Sequence, residues 1–256
     1  MKKIAVCGKG GVGKTTFAAL LACCLADNGE EVYAIDADVN PTLAEALGFS
    51  ADVVLGITPI VDMEDLIAER TGAKTDEYGS YFKTNPYVKD IPEKFSRKQG
   101  NINFLLMGAM KGADQGCACA QNAMLRALVT HLILKEKETV IMDMVAGTEH
   151  MGRGTAKGVD IIFLVVEPGI RSIKAAKDIA AMSRDLGIKN CFVIGNKIRS
   201  PEDEAYIKNL MNDFHFAGFF PLGDEVIAAE QQGKALYNTA PEMRAAIQSI
   251  VSALAL

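Results

Sequence analysis

Three stretches of this chain carry residue types at spacings that could do chemistry. The first is Gly8-Lys9-Gly10-Gly11-Val12-Gly13-Lys14-Thr15, followed by Thr16. It matches the pattern G-x-x-x-x-G-K-[ST] between an apolar run and a helical pattern, the context in which such a match carries weight. The glycines let the backbone curl, so that the N–H groups of Gly10, Gly11, Val12 and Gly13 point inward at phosphate oxygens; the dipole of the following helix adds positive potential. Lys14 is then spaced to reach β- and γ-phosphates, Thr15 to offer its hydroxyl to Mg²⁺, and Thr16 to meet an α-phosphate. A glycine-rich turn with an incidental lysine is the plain alternative. Having every fixed position present in that context speaks against it.

The second feature is a pair of acidic sites at the ends of apolar runs. Asp36-Ala37-Asp38-Val39-Asn40-Pro41 follows one run, and Asp143 ends another over residues 139–142. Alone, each acid reads as a helix cap or a solvated turn residue. Beside a phosphate loop, Asp143 reads as the aspartate of a Mg²⁺ shell. The third stretch is Gly116-Cys117-Ala118-Cys119. Two soft thiolates one residue apart can converge on a single metal ion where the chain turns. Helical periodicity resumes at about Asn122, so a helix N-terminus nearby would favour the thiolate. One chain offers only two sulphurs where soft four-coordinate sites want four, and a two-fold dimer would supply the other pair. Two small buried cysteines are an equal alternative for the motif by itself. Cys7, Cys23, Cys24 and Cys191 fall on predicted strands or a helix and read as core packing.

Base selectivity is also readable. Asn196-Lys197-Ile198-Arg199 follows an apolar run. Guanine presents donors at N1 and N2 and needs an acid where Arg199 stands. Arginine there favours adenine, with Asn196 as the base contact, so the expected ligand is ATP with Mg²⁺.

The elements that must position these residues follow from periodicity. Short β-branched runs at residues 3–7, 31–35, 103–107, 140–143, 161–166, 191–194 and 217–220 alternate with stretches of helical period. Phe17, Leu20, Leu21, Cys24 and Leu25 share one helix face that closes near Gly29, and Ile173, Ala176, Ile179, Ala180 and Leu186 share another that ends at Gly187. Continuous apolar strands between helices predict an α/β fold: a mostly parallel sheet of about seven or eight strands, helices on both faces, with P-loop NTPase architecture. Ligands in such folds sit beyond the carboxyl ends of the strands. Residues 1–256 are expected to form one domain with an irregular excursion at about 71–101, where periodicity lapses around Pro86, Pro92 and several aromatics.

Composition narrows the setting. Net charge is −5, with 49% apolar and 23% charged residues. That balance argues against a broad nucleic-acid footprint, which needs clustered Lys and Arg. No run approaches a membrane span, and six cysteines in a chain this long do not make a secreted disulphide framework. A cytoplasmic protein with reduced thiols is expected, binding neither nucleic acid nor membrane.

Lys9 adds a second lysine to the phosphate loop. With it, the loop resembles the deviant Walker A family, K-G-G-x-G-K-[ST], which includes the nitrogenase iron protein, the arsenite-pump and tail-anchored-protein ATPases, and MinD. The resemblance implies ATP hydrolysis by a dimer in which Lys9 reaches the partner's nucleotide. It also implies that Asp38 orients the attacking water and that Gly147, in Asp143-Met144-Val145-Ala146-Gly147, offers its N–H to the γ-phosphate within a second switch. Residues 116–128, residues 143–155, residues 62–72 and the run Gly195-Asn196-Lys197-Ile198-Arg199-Ser200 look like the CooC type, the maturation ATPases of carbon monoxide dehydrogenase. That resemblance, over nearly the whole chain, implies a homodimer that binds Ni²⁺ (Zn²⁺ can stand in) through Cys117 and Cys119. The implied client is carbon monoxide dehydrogenase or, for a close relative, acetyl-CoA synthase. Two positions depart from the pattern: Ala120-Gln121 stands where Pro-Glu is common, and Val145 where an acid is frequent.

Two other readings remain. An iron–sulphur electron-transfer ATPase resembling the nitrogenase iron protein would also join two subunits through cysteines, but those cysteines are far apart in sequence. A MinD-like positioning module needs a basic amphipathic tail. Residues 241–256 offer Met243, Ile247, Ile250, Val251 and Leu254 on one face and Arg244 as the single base, so a packing helix is expected there. His150 falls in the second switch, and His131 and His215 read as structural.

Overall fold

The computed structural model describes residues 2–38, 40–73, 81–108, 118–131, 138–144 and 159–256. Its frame is an eight-stranded sheet. The strands are β1 (Lys2–Cys7), β2 (Glu31–Ala37), β3 (Arg97–Gln99), β4 (Ile102–Leu106), β5 (Glu138–Met144), β6 (Ile161–Val166), β7 (Asn190–Ile198) and β8 (His215–Pro221). They lie in the order β3-β4-β2-β5-β1-β6-β7-β8, all parallel except β3, which runs antiparallel to β4 at the edge. The helices are α1 (Lys14–Asp27), α2 (Leu43–Ala46), α3 (Ala51–Leu55), α4 (Glu64–Thr71), α5 (Ile91–Phe95), α6 (Ala118–His131), α7 (Ile170–Asp185), α8 (Pro201–Leu210), α9 (Asp224–Gln232), α10 (Leu236–Thr239) and α11 (Pro241–Ala253), with a 3₁₀ turn at Ile60–Asp62.

The sheet is covered on both sides, which is why its central strands carry apolar residues towards both faces. On β1, Ile4 and Val6 join a core with α1, α10 and α11, while Ala5 and Cys7 join a second core with α6, α7 and α8. Each β-strand residue alternates between faces, so one run feeds two cores at once. At roughly 25 cal/mol per Å² of apolar surface, burying one Leu or Ile on either face contributes about 2 kcal/mol.

The expected strands all form, with three informative shifts. β7 extends four residues past the apolar run, through Asn196 and Lys197 to Ile198, across a register irregularity against β8. Lys197 takes a left-handed conformation there, φ 59°. α6 begins at Ala118 rather than Asn122, so Cys119 lies in its first turn. The excursion holds short structure of its own: α5 and β3 form, Val88 and Ile91 are buried, and Arg70 grips Asp90 through Nη1 at 3.0 Å and Nη2 at 2.8 Å. α11 packs as expected, burying Met243, Ile247, Ile250 and Val251 against α1 and β8. His215 is exposed as the first residue of β8, beside Phe192 of β7. Among the described residues no helix is long and apolar enough to cross a membrane.

Candidate functional site at the carboxyl edge of the sheet

β1 ends and the glycine loop begins at the carboxyl edge, with β5 and β6 on either side. Asp143 on β5 is in register with Val6 of β1 and with Asp36 of β2, so both carboxylates reach the edge beside the loop. Lys14 opens α1 and is nearly buried, its Nζ 3.4 Å from the carbonyl of Lys9. The Thr15 hydroxyl donates to Asp143 Oδ2 at 2.5 Å.

Asp143 is 1% exposed, and its Oδ1 has no hydrogen-bond partner. Burial pushes its pKa up to about 7; the Thr15 hydrogen bond pulls the other way, while the charge of Asp36 adds to the rise. A buried carboxylate oxygen without a donor is costly unless a cation or its bound water completes it. The residues therefore fit Mg²⁺: hydroxyl and carboxylate are hard oxygen donors already in contact, with one acceptor free.

The loop is held from outside by residues that arrive much later in the chain. Asn196 Nδ2 donates to the Val12 carbonyl at 2.7 Å, and Lys197 Nζ donates to the Gly11 carbonyl at 2.5 Å. The left-handed backbone at Lys197 accompanies this aim. Gly13 has φ 95°, and a Cβ there would lie 2.2 Å from Asn196 Nδ2, so only glycine fits under that amide. Glu167, just past β6, pairs with Lys197 at 3.1 Å and with Lys9 at 3.6 Å. Its N–H donates to Ser172 Oγ at 3.1 Å, fixing the turn into α7.

The exit of β2 is held differently. Asp36 is fully buried, and burial raises its pKa against the pull of three backbone N–H groups. Those donors are Asp38 to Oδ1, and Thr42 and Leu43 to Oδ2, each at 3.0 Å. One carboxylate therefore folds the loop and caps α2. Asp38 accepts the Asn40 N–H at 3.0 Å, closing a tight turn that presents it at the same edge.

The structure thus gathers Lys9, Lys14, Thr15, Asp38, Asp143 and Asn196 at one edge. Cys117 and Gly147 lie outside the described residues, as do the side chain of Cys119 and His150. Among the described residues no group of three or more His, Cys, Asp or Glu could hold a metal ion. Asp36, Glu167 and Lys197 were missed by sequence reasoning. Asp36 and Glu167 had the signal that identified Asp143, an acid where an apolar strand ends; Lys197 had only its place beside Asn196.

Comparison with known proteins fits this geometry. Residues 3–236 match the CobQ/CobB/MinD/ParA nucleotide binding domain, and the chain belongs to that family. It is 43% identical over 98% of its length to the carbon monoxide dehydrogenase accessory protein CooC of Rhodospirillum rubrum, covering 95% of that protein. It is 45% identical over 91% of its length to an uncharacterised ATP-binding protein of Methanocaldococcus jannaschii, covering 90% of it. The fold is shared with a ParA family ATPase of Chlorobium tepidum, at TM-score 0.73, 15% identity and coverage of 100% of this chain and 99% of the other. The chain is an ATPase of the CooC type.

Proposed function

We propose that this chain is a dimeric, ATP-hydrolysing metallochaperone that binds Ni²⁺ and assists its insertion into the Ni–Fe–S cluster of carbon monoxide dehydrogenase or acetyl-CoA synthase. The observation that carries the reading is the 43% identity to a carbon monoxide dehydrogenase accessory protein along nearly the full length of both chains. A cytoplasmic site of action accords with this role.

In this reading the N–H groups of Gly10, Gly11, Val12 and Gly13 cradle the phosphates. Lys14 leaves the Lys9 carbonyl for the β- and γ-phosphates, and Thr16 meets the α-phosphate. Thr15 and Asp143 would hold Mg²⁺, which would supply neutralisation of phosphate charge when bound. Asp38, at the tip of the turn that Asp36 organises, orients the attacking water. Gly147 binds the γ-phosphate through its N–H, and Asn196 keeps its Oδ1 and second N–H for adenine. Lys9 leaves Glu167 and crosses to the nucleotide of a second copy. Its half-exposed side chain supports that role, as do Ile170 and Leu222, exposed by 62% and 50% past strand ends on the same edge. Cys117 and Cys119, with their symmetry mates, surround one ion that is cargo, with Zn²⁺ as a substitute. Closure over ATP assembles the sulphurs, and hydrolysis loosens them.

Replacing both Cys117 and Cys119 by Ala should abolish stoichiometric Ni²⁺ binding and leave ATP binding intact, as read by metal titration and nucleotide fluorescence. Full metal binding by that variant refutes the cargo assignment. Lys14→Ala should lower turnover by about a hundredfold or more, the scale for losing a phosphate-stabilising group. Normal turnover would refute the loop assignment.

A further inference from the structure

The β4–α6 connection carries the Cys117 segment, and both of its described ends bond to the main chain of a single residue, Val61. Where β4 ends, Val61 N–H donates to the Met107 carbonyl at 3.1 Å. Where α6 begins, Gln121 Nε2 donates to the Val61 carbonyl at 3.0 Å. Gly108, at φ 77°, lies so close beneath Val61 that a Cβ there would come 2.5 Å from Val61 Cγ1. Val61 is 4% exposed within the 3₁₀ turn and has little freedom to shift alone.

That residue is tied in turn to the nucleotide edge. Met107 N–H donates to the Asp36 carbonyl at 2.9 Å, and Gly108 N–H to the same oxygen at 3.2 Å. The Asp36 carboxylate holds the N–H of Asp38. A continuous run of hydrogen bonds therefore leads from Asp38 through Asp36, Met107 and Val61 to Gln121, two residues beyond Cys119.

We infer that Gln121 is a positioning residue that couples the nucleotide loop to the cysteine pair. The inference rests on the proposed roles of Cys117 and Cys119 and adds the route. Movement of the Asp36–Asp38 turn on binding nucleotide shifts Met107 and Val61, and Gln121 carries the shift into the first turn of α6. Gln121 suits this because its amide donates to a carbonyl, which an ionised glutamate at the same position cannot do. Ala120 beside it is 4% exposed, so that turn is seated in the core. Coupling of this kind is a ratio of affinities that is reciprocal between the two ligands.

Reduced full-length protein is titrated with Ni²⁺, with and without the non-hydrolysable analogue AMPPNP. The wild type should show at least about a fivefold change in metal affinity. Gln121→Glu and Gln121→Met, close in size but lacking the donor, should bring that ratio to within about twofold of unity while still binding both ligands. Because the two differ in charge, a shared loss assigns the effect to the missing donor. The reciprocal ratio, AMPPNP affinity with and without Ni²⁺, should collapse equally. A wild-type ratio that survives in both variants overturns the route and leaves the proposed function standing. A wild type with no nucleotide-dependent ratio overturns the coupling in the proposed function and this inference together. If the variants fail to fold, amide hydrogen exchange on the wild type decides. Val61 and Met107 N–H exchange should change at least threefold with AMPPNP if they lie on the route, and unchanged exchange overturns it.

Discussion

The loops leaving β1 and β2 start one strand apart at the same edge, yet they are held by opposite means. The phosphate loop is a main chain full of glycine, and its carbonyls are gripped by side chains from elsewhere, Asn196 and Lys197 of β7 with Glu167 behind them. The β2 exit carries its own anchor, since Asp36 accepts N–H groups from residues two, six and seven positions later. In the proposed function the first loop keeps its N–H groups for phosphate, so its stability is supplied through its carbonyls. The second loop has no such demand on its main chain, and a buried acid collects its N–H groups. The first arrangement spreads the cost of a mutation over distant partners, whereas the second concentrates it in one residue.

The sharpest way to break this contrast is Asp36→Ala. Three buried or half-buried N–H groups lose a charged acceptor together, and each such bond contributes about 1.5–3 kcal/mol taken singly. Since the three act as a unit and do not add, a loss of about 3 kcal/mol is expected in urea unfolding, with ATP turnover falling as the Asp38 turn opens. Asn196→Ala removes one neutral bond, to Val12, so the loss should be about 1 kcal/mol. Nucleotide affinity should drop severalfold with it. Equal losses for the two variants would mean that the β2 exit has other anchors and that the contrast is wrong.

How much of this was legible in the sequence differs along the same line. The phosphate loop is a contiguous motif, and Asp143 stands at the end of an apolar run, so both could be read from local order. Seven of the eight strands were readable from their apolar runs; β3 was not, since Arg97–Gln99 is exposed and polar and pairs only at an edge. The partners of the phosphate loop were unreadable for a different reason. The Asn196 bond to Val12 spans 184 positions and depends on β7 running on past its apolar residues. Lys197 is invisible to propensity because its left-handed backbone is imposed by tertiary contacts. The start of α6 was placed late because Gly116-Cys117-Ala118-Cys119 has no helical period, whereas the Gln121 bond to Val61 secures that turn from outside.

A reference point away from both loops is the clamp in the excursion. Arg70 and Lys94 hold the Asp90 carboxyl at about 2, well below the usual range, chiefly through the Arg70 hydrogen bonds. A depressed folded pKa means that this stability is present above about pH 4 and is lost as pH falls towards 2. Asp90→Asn should therefore be less stable than wild type at pH 7, with the difference closing between pH 4 and 2. Turnover at neutral pH should be unaffected. Acid unfolding followed by circular dichroism checks the window, and a gap that persists at pH 2 would assign the clamp to packing instead of charge.

The smallest expected effect discriminates most finely within the phosphate loop. Glu167 touches both Lys9 and Lys197, and these pairs are 28–40% exposed, so each contributes about 0.2–1 kcal/mol and is screened by salt. Glu167→Gln could loosen the loop by weakening Lys197, or free two cations to face an anionic ligand. Gln can still accept from Lys197, and Lys197 keeps its bond to Gly11, so the anchor largely survives while the competing charge is gone. ATP should bind about two- to threefold more tightly to Glu167→Gln at low ionic strength, a change of about 0.5 kcal/mol, and the gain should vanish near about 0.5 M salt. Titration at two salt concentrations measures it. Weaker binding that persists at high salt would show Glu167 to be an anchor on the same footing as Asn196, and the loop would then be pinned through its lysines as well as through the Asn196 amide.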